Sequence, residues 1–227
     1  MPQPIIQIAG IRDEAEARTL VASGVHRLGF PIGLDVHEED MPEDEAAEVI
    51  EGLRIGPQAW LITYRRDPRA VAAMYRRLGC AGVQLHGDAG PDAVRRLKAL
   101  CPDLQVVKGL VVREGNLAEL EGRVRALAAH VDGFITDTFD PTSGASGATG
   151  KTHDWSVSRR LVELSPRPVI LAGGLTPENV ARAIETVRPA GVDVHTGVED
   201  GTGRKDPARV RAFVSNASTA FTALTAV

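Results

Sequence analysis

Short apolar runs alternate with stretches that carry apolar residues at helical spacing along the whole sequence. This alternation confines the chain to a parallel sheet covered by helices. The candidate strands are Ile5–Ala9, Arg27–Phe30, Trp60–Thr63, Gly82–Leu85, Gln105–Leu110, Gly133–Thr136, Val169–Ala172 and Gly191–Val194. The helices expected between them are Asp13–Ala22, Glu43–Gly52, Pro68–Leu78, Pro91–Leu100, Asn116–Ala129, Ser156–Leu164, Pro177–Val187 and Pro207–Ala217. Several open on a proline in the first turn behind Asp, Gly or Thr, where a missing N–H costs nothing. Eight strands and eight helices, with no linker or break in composition, favour an α/β chain closed into a (β/α)8 TIM barrel, a single domain over residues 1–227. An open doubly wound sheet requires a GxGxxG after its first strand, and Ala9-Gly10-Ile11-Arg12 is not one.

Length and charge agree. A chain of 227 residues, 43% of them hydrophobic, is long enough to fill one large core. The net charge of −4 comes from interspersed acids and bases, with no basic stripe to follow a nucleic-acid backbone, so no nucleic-acid partner is expected. No apolar run approaches the ~20 residues that span a bilayer. The segment Met1 to Gly10 also lacks the charged start and long apolar stretch of a signal peptide, so a cytoplasmic protein with no membrane partner is expected. Cys80 and Cys101 form neither a CxxC nor a zinc spacing and are read as reduced packing residues.

The most informative stretch is Val169 to Asp206, which sets two glycine-bearing strand ends one helix apart. Strand ends point the same way in a parallel β/α protein, so the N–H groups around Gly173, Gly174, Thr196, Gly197 and Val198 can converge on one anion. The loops after strands seven and eight are the usual phosphate cradle of a barrel. The longest connection, the nineteen residues from Asp137 to Trp155, is rich in Gly, Ser and Thr and marks a functional lid or an insertion. Its GASGATGKT is not a nucleotide P-loop, because five residues instead of four separate Gly144 from Gly150 and the segment lies well beyond its strand.

Five motifs then occur in a telling order: VQLHG at Val83 to Gly87, Asp137-Thr138 after an apolar strand, GATGKTHDW at Gly147 to Trp155, LAGGLTPENV at Leu171 to Val180, and GVDVHTGVE followed by GRKD. Together they resemble the phosphoribosylanthranilate isomerase family, almost end to end. The resemblance implies a barrel that performs an Amadori rearrangement, an aldose-to-ketose isomerisation of a phosphorylated ribosylamine, without metal or organic cofactor. It also implies a general acid at Asp137 that protonates the ring oxygen, followed by removal of the C2 proton by a cysteine at the end of strand one.

Strand one departs from that pattern. The family writes Lys-Ile-Cys-Gly where this chain has Gln7-Ile8-Ala9-Gly10, so a methyl group replaces the thiol. Cys80 and Cys101 are expected at the opposite end of the barrel. After strand two the family carries an arginine that meets the aromatic carboxylate, whereas Asp35, Glu38, Glu39 and Asp40 stand here. Like charges at an enclosed site can cost several kcal/mol.

Histidines gather at the same end: His37, His86, His153 and His195 all fall on expected βα loops. His86 belongs to the VQLHG scaffold and is assigned to the substrate or lid region with Lys151, His153 and His195. His37 with Asp35 is the candidate for the missing base, or for a divalent-metal site, although no metal is assigned. Lys108 is read as a buried ion-pair partner. The reading at this level is an isomerase-like barrel acting on a phosphorylated sugar with a changed substrate, as monomer or homodimer. The alternatives are a genuine phosphoribosylanthranilate isomerase using another base, and a barrel that only binds a sugar phosphate.

Overall fold

Each strand of the chain pairs in parallel with the next, and the last returns to the first, so the sheet closes in the order β1-β2-β3-β4-β5-β6-β7-β8. The computed structural model describes residues 3–34, 39–138 and 152–225. The strands are β1 Ile5–Ala9, β2 Arg27–Pro31, β3 Ala59–Thr63, β4 Gly82–Leu85, β5 Gln105–Val112, β6 Gly133–Thr138, β7 Val169–Leu171 and β8 Gly191–Val194. The helices are α1 Glu14–Ala22, α2 Glu43–Leu53, α3 Pro68–Leu78, α4 Pro91–Leu100, α5 Leu117–Leu127, α6 Trp155–Leu164, α7 Val180–Val187 and α8 Pro207–Thr225. A short 3₁₀ turn, Thr196–Val198, follows β8. The closed (β/α)8 barrel is the fold the alternation predicts. No helix among the described residues is long and apolar enough to cross a membrane.

Local chemistry sets the helix starts. Asp13 caps α1 by accepting from the Glu16 N–H at 2.9 Å. Asp67 and Asp154 cap α3 and α6 in the same way, at 3.1 and 2.9 Å. Each such cap is worth ~1 kcal/mol. Gly79 ends α3 at φ +59°, a left-handed conformation that costs glycine nothing.

Two differences from the expected elements bear on the site. Strand β6 runs past Thr136 to Thr138 because β5 continues to Val112, and the pairs Val111↔Asp137 and Val112↔Thr138 extend the ladder. Asp137 therefore sits on a strand, where its backbone is held. Helix α7 begins at Val180 and not at Pro177. Asn179 takes the start instead, its Oδ1 accepting from the Thr176 N–H at 2.8 Å and its Nδ2 donating to the Gly174 carbonyl at 2.9 Å. The side chain of this N-cap residue thus closes the turn ahead of the helix and holds the preceding glycine loop.

The core has two layers. Inside the barrel, Trp60, Val107, Ile135, Ile170 and Ala172 pack together, with Arg27 stacked over the Trp60 ring at 3.8 Å near the floor. Burial lowers the pKa of that guanidinium to about 10. Outside the sheet lies the larger layer that the helices cover. Phe213 and Phe221 of α8 are buried there, each stabilising the fold by ~1.5–3 kcal/mol relative to exposure. With floor and walls filled, only the C-terminal mouth of the barrel is left to hold chemistry.

Candidate active site

At the mouth, Asp137 is buried, 7% exposed. Its Oδ1 accepts from the Thr138 N–H at 2.8 Å. Burial raises its pKa to about 7, with nearby Asp193 adding to the shift and the Thr138 hydrogen bond opposing it. His86 faces it from the end of β4, with Nδ1 3.9 Å from Asp137 Oδ2. Burial, with the positive charge of Lys108, lowers the imidazole to about 4. A carboxylic acid kept protonated close to neutral pH can donate a proton to a substrate oxygen.

Lys108 is not the ion-pair partner its setting in the sequence suggested. Its ammonium donates to the carbonyls of Leu85, Gly87 and Gly109 at 3.0, 2.7 and 3.1 Å. Four carbonyl groups in all, with His86 at 3.4 Å, gather on it. It clamps the turn after β4 and so fixes where His86 stands. Burial lowers its pKa to about 8.

The loops after β7 and β8 touch each other at Leu175 and Gly197. Gly173 and Gly174 have φ of +97° and +61°, and their N–H groups find no protein acceptor among the described residues. A Cβ on Gly173 would overlap Thr138 Oγ1 and stand 3.2 Å from His153 Nδ1, and one on Gly197 would overlap the Leu175 carbonyl. Thr196, Gly197 and Val198 form the 3₁₀ turn opposite, with the Val198 side chain buried in the core.

His153, just before α6, ties the start of that helix to the end of β6. Its Nδ1 and Thr138 Oγ1 are 2.9 Å apart, and its Nε2 and Ser158 Oγ 2.6 Å apart. Burial lowers its pKa to about 4, so it bonds as a neutral ring. His195 lies on the other side, with Nε2 3.6 Å from Asp40 Oδ2 and 3.5 Å from Glu199 Oε1. Lys205, buried below, donates to Glu199 at 2.7 Å and to the His195 carbonyl at 3.1 Å.

The chain as a whole is similar to known proteins. The family model for N-(5'-phosphoribosyl)anthranilate (PRA) isomerase matches residues 6–216. The chain belongs to the phosphoribosylanthranilate isomerase family. It is 34% identical to N-(5'-phosphoribosyl)anthranilate isomerase 2 of Methanosarcina mazei, over 95% of each chain. It is 38% identical to the isomerase of Haloferax volcanii, over 95% of this chain and 93% of that one. Among solved structures, that of the Thermotoga maritima phosphoribosyl anthranilate isomerase superposes with a TM-score of 0.79 at 26% identity, covering 96% of this chain and all of that one.

In this barrel the end of β1 carries Ala9, and Gly10 follows at φ +77°. Cys80 and Cys101 lie in the connections that enter β4 and β5, at the opposite end, and burial raises the Cys80 thiol to about 11. Neither can reach the mouth.

Of the acids after β2, the two described ones, Glu39 and Asp40, are both partnered. Glu39 accepts from the Gly33 N–H at 2.7 Å. Asp40 is folded in, 14% exposed, between His195 and Arg12; burial opposes its charge, but the contact with His195 and the positive charges of Lys205 and Arg12 outweigh burial and hold its carboxyl below the usual range. Asp35, His37 and Glu38 lie outside the described residues, as does Lys151. Among the described residues no three His, Cys, Asp or Glu side chains gather to hold a metal.

Sequence reasoning missed three contributors. Asp193 on β8 accepts from Gln7 Nε2 at 2.9 Å across the β1/β8 seam, and burial raises its pKa to about 6. Lys205 is hidden within GRKD. Arg65, after β3, lies against Gly33, where a Cβ would be 3.0 Å from its Nε. Asp193 meets Gln7 only through the register of β8 with β1.

Proposed function

We propose that this chain isomerises N-(5'-phosphoribosyl)anthranilate, the reaction named for its relatives, with Asp137 as general acid and without a strand-one thiol. The observation that carries the reading is Asp137 itself: a carboxyl on the end of β6, buried, with a pKa of about 7, next to Thr138, whose side chain borders Gly173 of the β7 loop. The glycines Gly173, Gly174 and Gly197, with Thr196 and Val198, take the substrate phosphate through backbone N–H groups.

A changed substrate was expected from Ala9 and from the acids after β2. The second ground weakens once Asp40 is seen paired with His195 and Arg12 and Glu39 with a backbone N–H. Arg65, exposed beside Gly33 at the end of β2, supplies a cation for the anthranilate carboxylate in place of the family's arginine. Fork geometry suits that pairing.

Complementation tests the reading. The gene, expressed in a tryptophan auxotroph that lacks only its phosphoribosylanthranilate isomerase, is expected to restore growth without tryptophan, and the Asp137→Asn gene to fail at equal protein level. No growth from the unaltered gene, with soluble protein present, contradicts the proposal.

A further inference from the structure

Removing a proton from C2 of the opened phosphoribosyl imine requires a base over the end of β1, and Ala9 has no proton affinity. The side chain that covers this place is His195. Ile8 is in register with Val194, so His195 follows level with Ala9. Its imidazole lies across the strand end: a Cβ built on Gly10 would fall 2.5 Å from both Cδ2 and Cε1, and closer still to Nε2. The ring fills the space that any side chain at residue 10 would need.

Two carboxylates face Nε2 from different elements. Asp40 comes from the β2–α2 connection at 3.6 Å and Glu199 from the β8–α8 connection at 3.5 Å. Both are slightly longer than hydrogen bonds, as catalytic contacts commonly are before substrate closes a site. Carboxylates on Nε2 favour the tautomer with its proton there and leave Nδ1 as the acceptor. Nδ1 has no hydrogen-bond partner among the described residues. Asp193, the other ionisable group on β8, stands two residues deeper and already accepts from Gln7.

We infer that His195, oriented by Asp40 and Glu199, is the base that takes the C2 proton in this barrel. The inference rests on the isomerase reading above. Asp137 first gives its proton to the ring oxygen as the C1–O bond breaks, leaving an iminium at C1. Nδ1 of His195 then takes the C2 proton, the C–H electron pair becomes the C1=C2 bond, and the imine π pair moves onto nitrogen. The imidazolium returns a proton to C1 as the enol O–H proton leaves, and that proton, through solvent, restores Asp137. No oxidant or co-reactant is needed, and both groups end as they began.

The test follows turnover of phosphoribosylanthranilate by the purified wild-type chain, His195→Asn, and His195→Asn with Ala9→Cys, across pH. The charged groups around the ring are Asp40, Glu199, Asp193, Lys205 and, behind Asp40, Arg12. His195→Asn is expected to lower kcat by ~10² to 10⁴-fold, to leave KM within threefold, and to erase the acid limb of the kcat profile. Ala9→Cys in that background is expected to recover at least tenfold, because a thiol there reaches the same proton. Should His195→Asn not fold, Asp40→Asn reads the same claim: loss of the carboxylate moves the acid limb to lower pH, and an unmoved limb overturns the inference. Full kcat in His195→Asn, or a loss confined to KM with the acid limb intact, overturns it while leaving the isomerase reading standing. No turnover by the wild-type chain overturns both.

Discussion

His86 Nδ1 stands 3.9 Å from Asp137 Oδ2, and the two meet as neutral groups at mildly acid pH, not as an ion pair. Burial moves them in opposite directions, the carboxyl to about 7 and the imidazole to about 4. A protonated His86 would hold Asp137 ionised and disable it as an acid. Burial prevents this first, and the positive charge of Lys108, held at the turn on which His86 sits, adds to it.

The first prediction is a pH dependence of rate. Asp137 must be protonated to open the ring, so kcat is expected to fall as pH rises through about 7. Steady-state rates from pH 5 to 9 at saturating substrate give the curve. A kcat that keeps rising to pH 9 removes Asp137 as the acid.

The buried carboxyl carries a stability prediction as well. A carboxyl with a raised folded pKa contributes stability that is fully present below the unfolded value of 3.8 and is lost as pH rises through about 7. Asp137→Asn removes that loss, so the variant should gain on the wild type as pH rises toward 7, since every tenfold change in proton affinity between the folded and unfolded chain is worth ~1.4 kcal/mol. Urea denaturation at pH 5 and pH 8 compares them. Equal differences at both pH values contradict the buried neutral acid.

Gly197→Ala should both weaken the fold and spoil the phosphate site, since its Cβ would overlap the Leu175 carbonyl. Overpacking of this kind costs ~1–3 kcal/mol. Binding of inorganic phosphate, read by calorimetry on folded protein, is expected to drop at least tenfold. Unchanged phosphate affinity places the anion elsewhere.

Lys108→Met leaves the carbonyls of Leu85, Gly87 and Gly109 without their shared donor. Each unsatisfied buried acceptor costs ~1–3 kcal/mol, so a large drop in melting temperature is expected, together with a shift of the His86 ring resonances. A melting temperature within two degrees of wild type, taken as roughly the shift from 1 kcal/mol or less in a domain of this size, shows that water replaces the ammonium.

Arg65→Met is expected to raise KM for phosphoribosylanthranilate about tenfold with kcat little altered, the signature of lost uniform binding. A fall in kcat with KM unchanged assigns Arg65 a different part.

Much of the barrel and part of its mouth were legible in the sequence, for a physical reason. Strand ends in a parallel barrel are punctuated by residues that local chemistry demands, so Asp137 before its long connection and Gly173, Gly174 and Gly197 at their turns announce themselves. The start of α7 did not, because a proline fits both a first helical turn and the Asn179-closed turn that precedes this helix. The role of Lys108 was hidden because its partners are backbone carbonyls, most of them at the end of β4 and in the turn after it. Least legible was the seam of the barrel. His195, Glu199 and Lys205 lie close in sequence, but Asp40 is far from them, and only closure of β8 against β1, which pairs in turn with β2, brings it there. Hence Asp40 looked like part of a repelling cluster when it is a folded ion-pair partner.

The most direct test of the central claim is the initial rate of phosphoribosylanthranilate conversion by purified wild-type chain and Asp137→Asn, measured side by side near neutral pH with the sugar-ketone product identified. The account predicts conversion to the ketose phosphate by the wild type and a loss of at least a hundredfold in kcat in the variant, taken from the ~10² to 10⁴-fold worth of general acid catalysis, with phosphate affinity within a few-fold. Equal rates in the two proteins, or no ketose from the wild type, would contradict it.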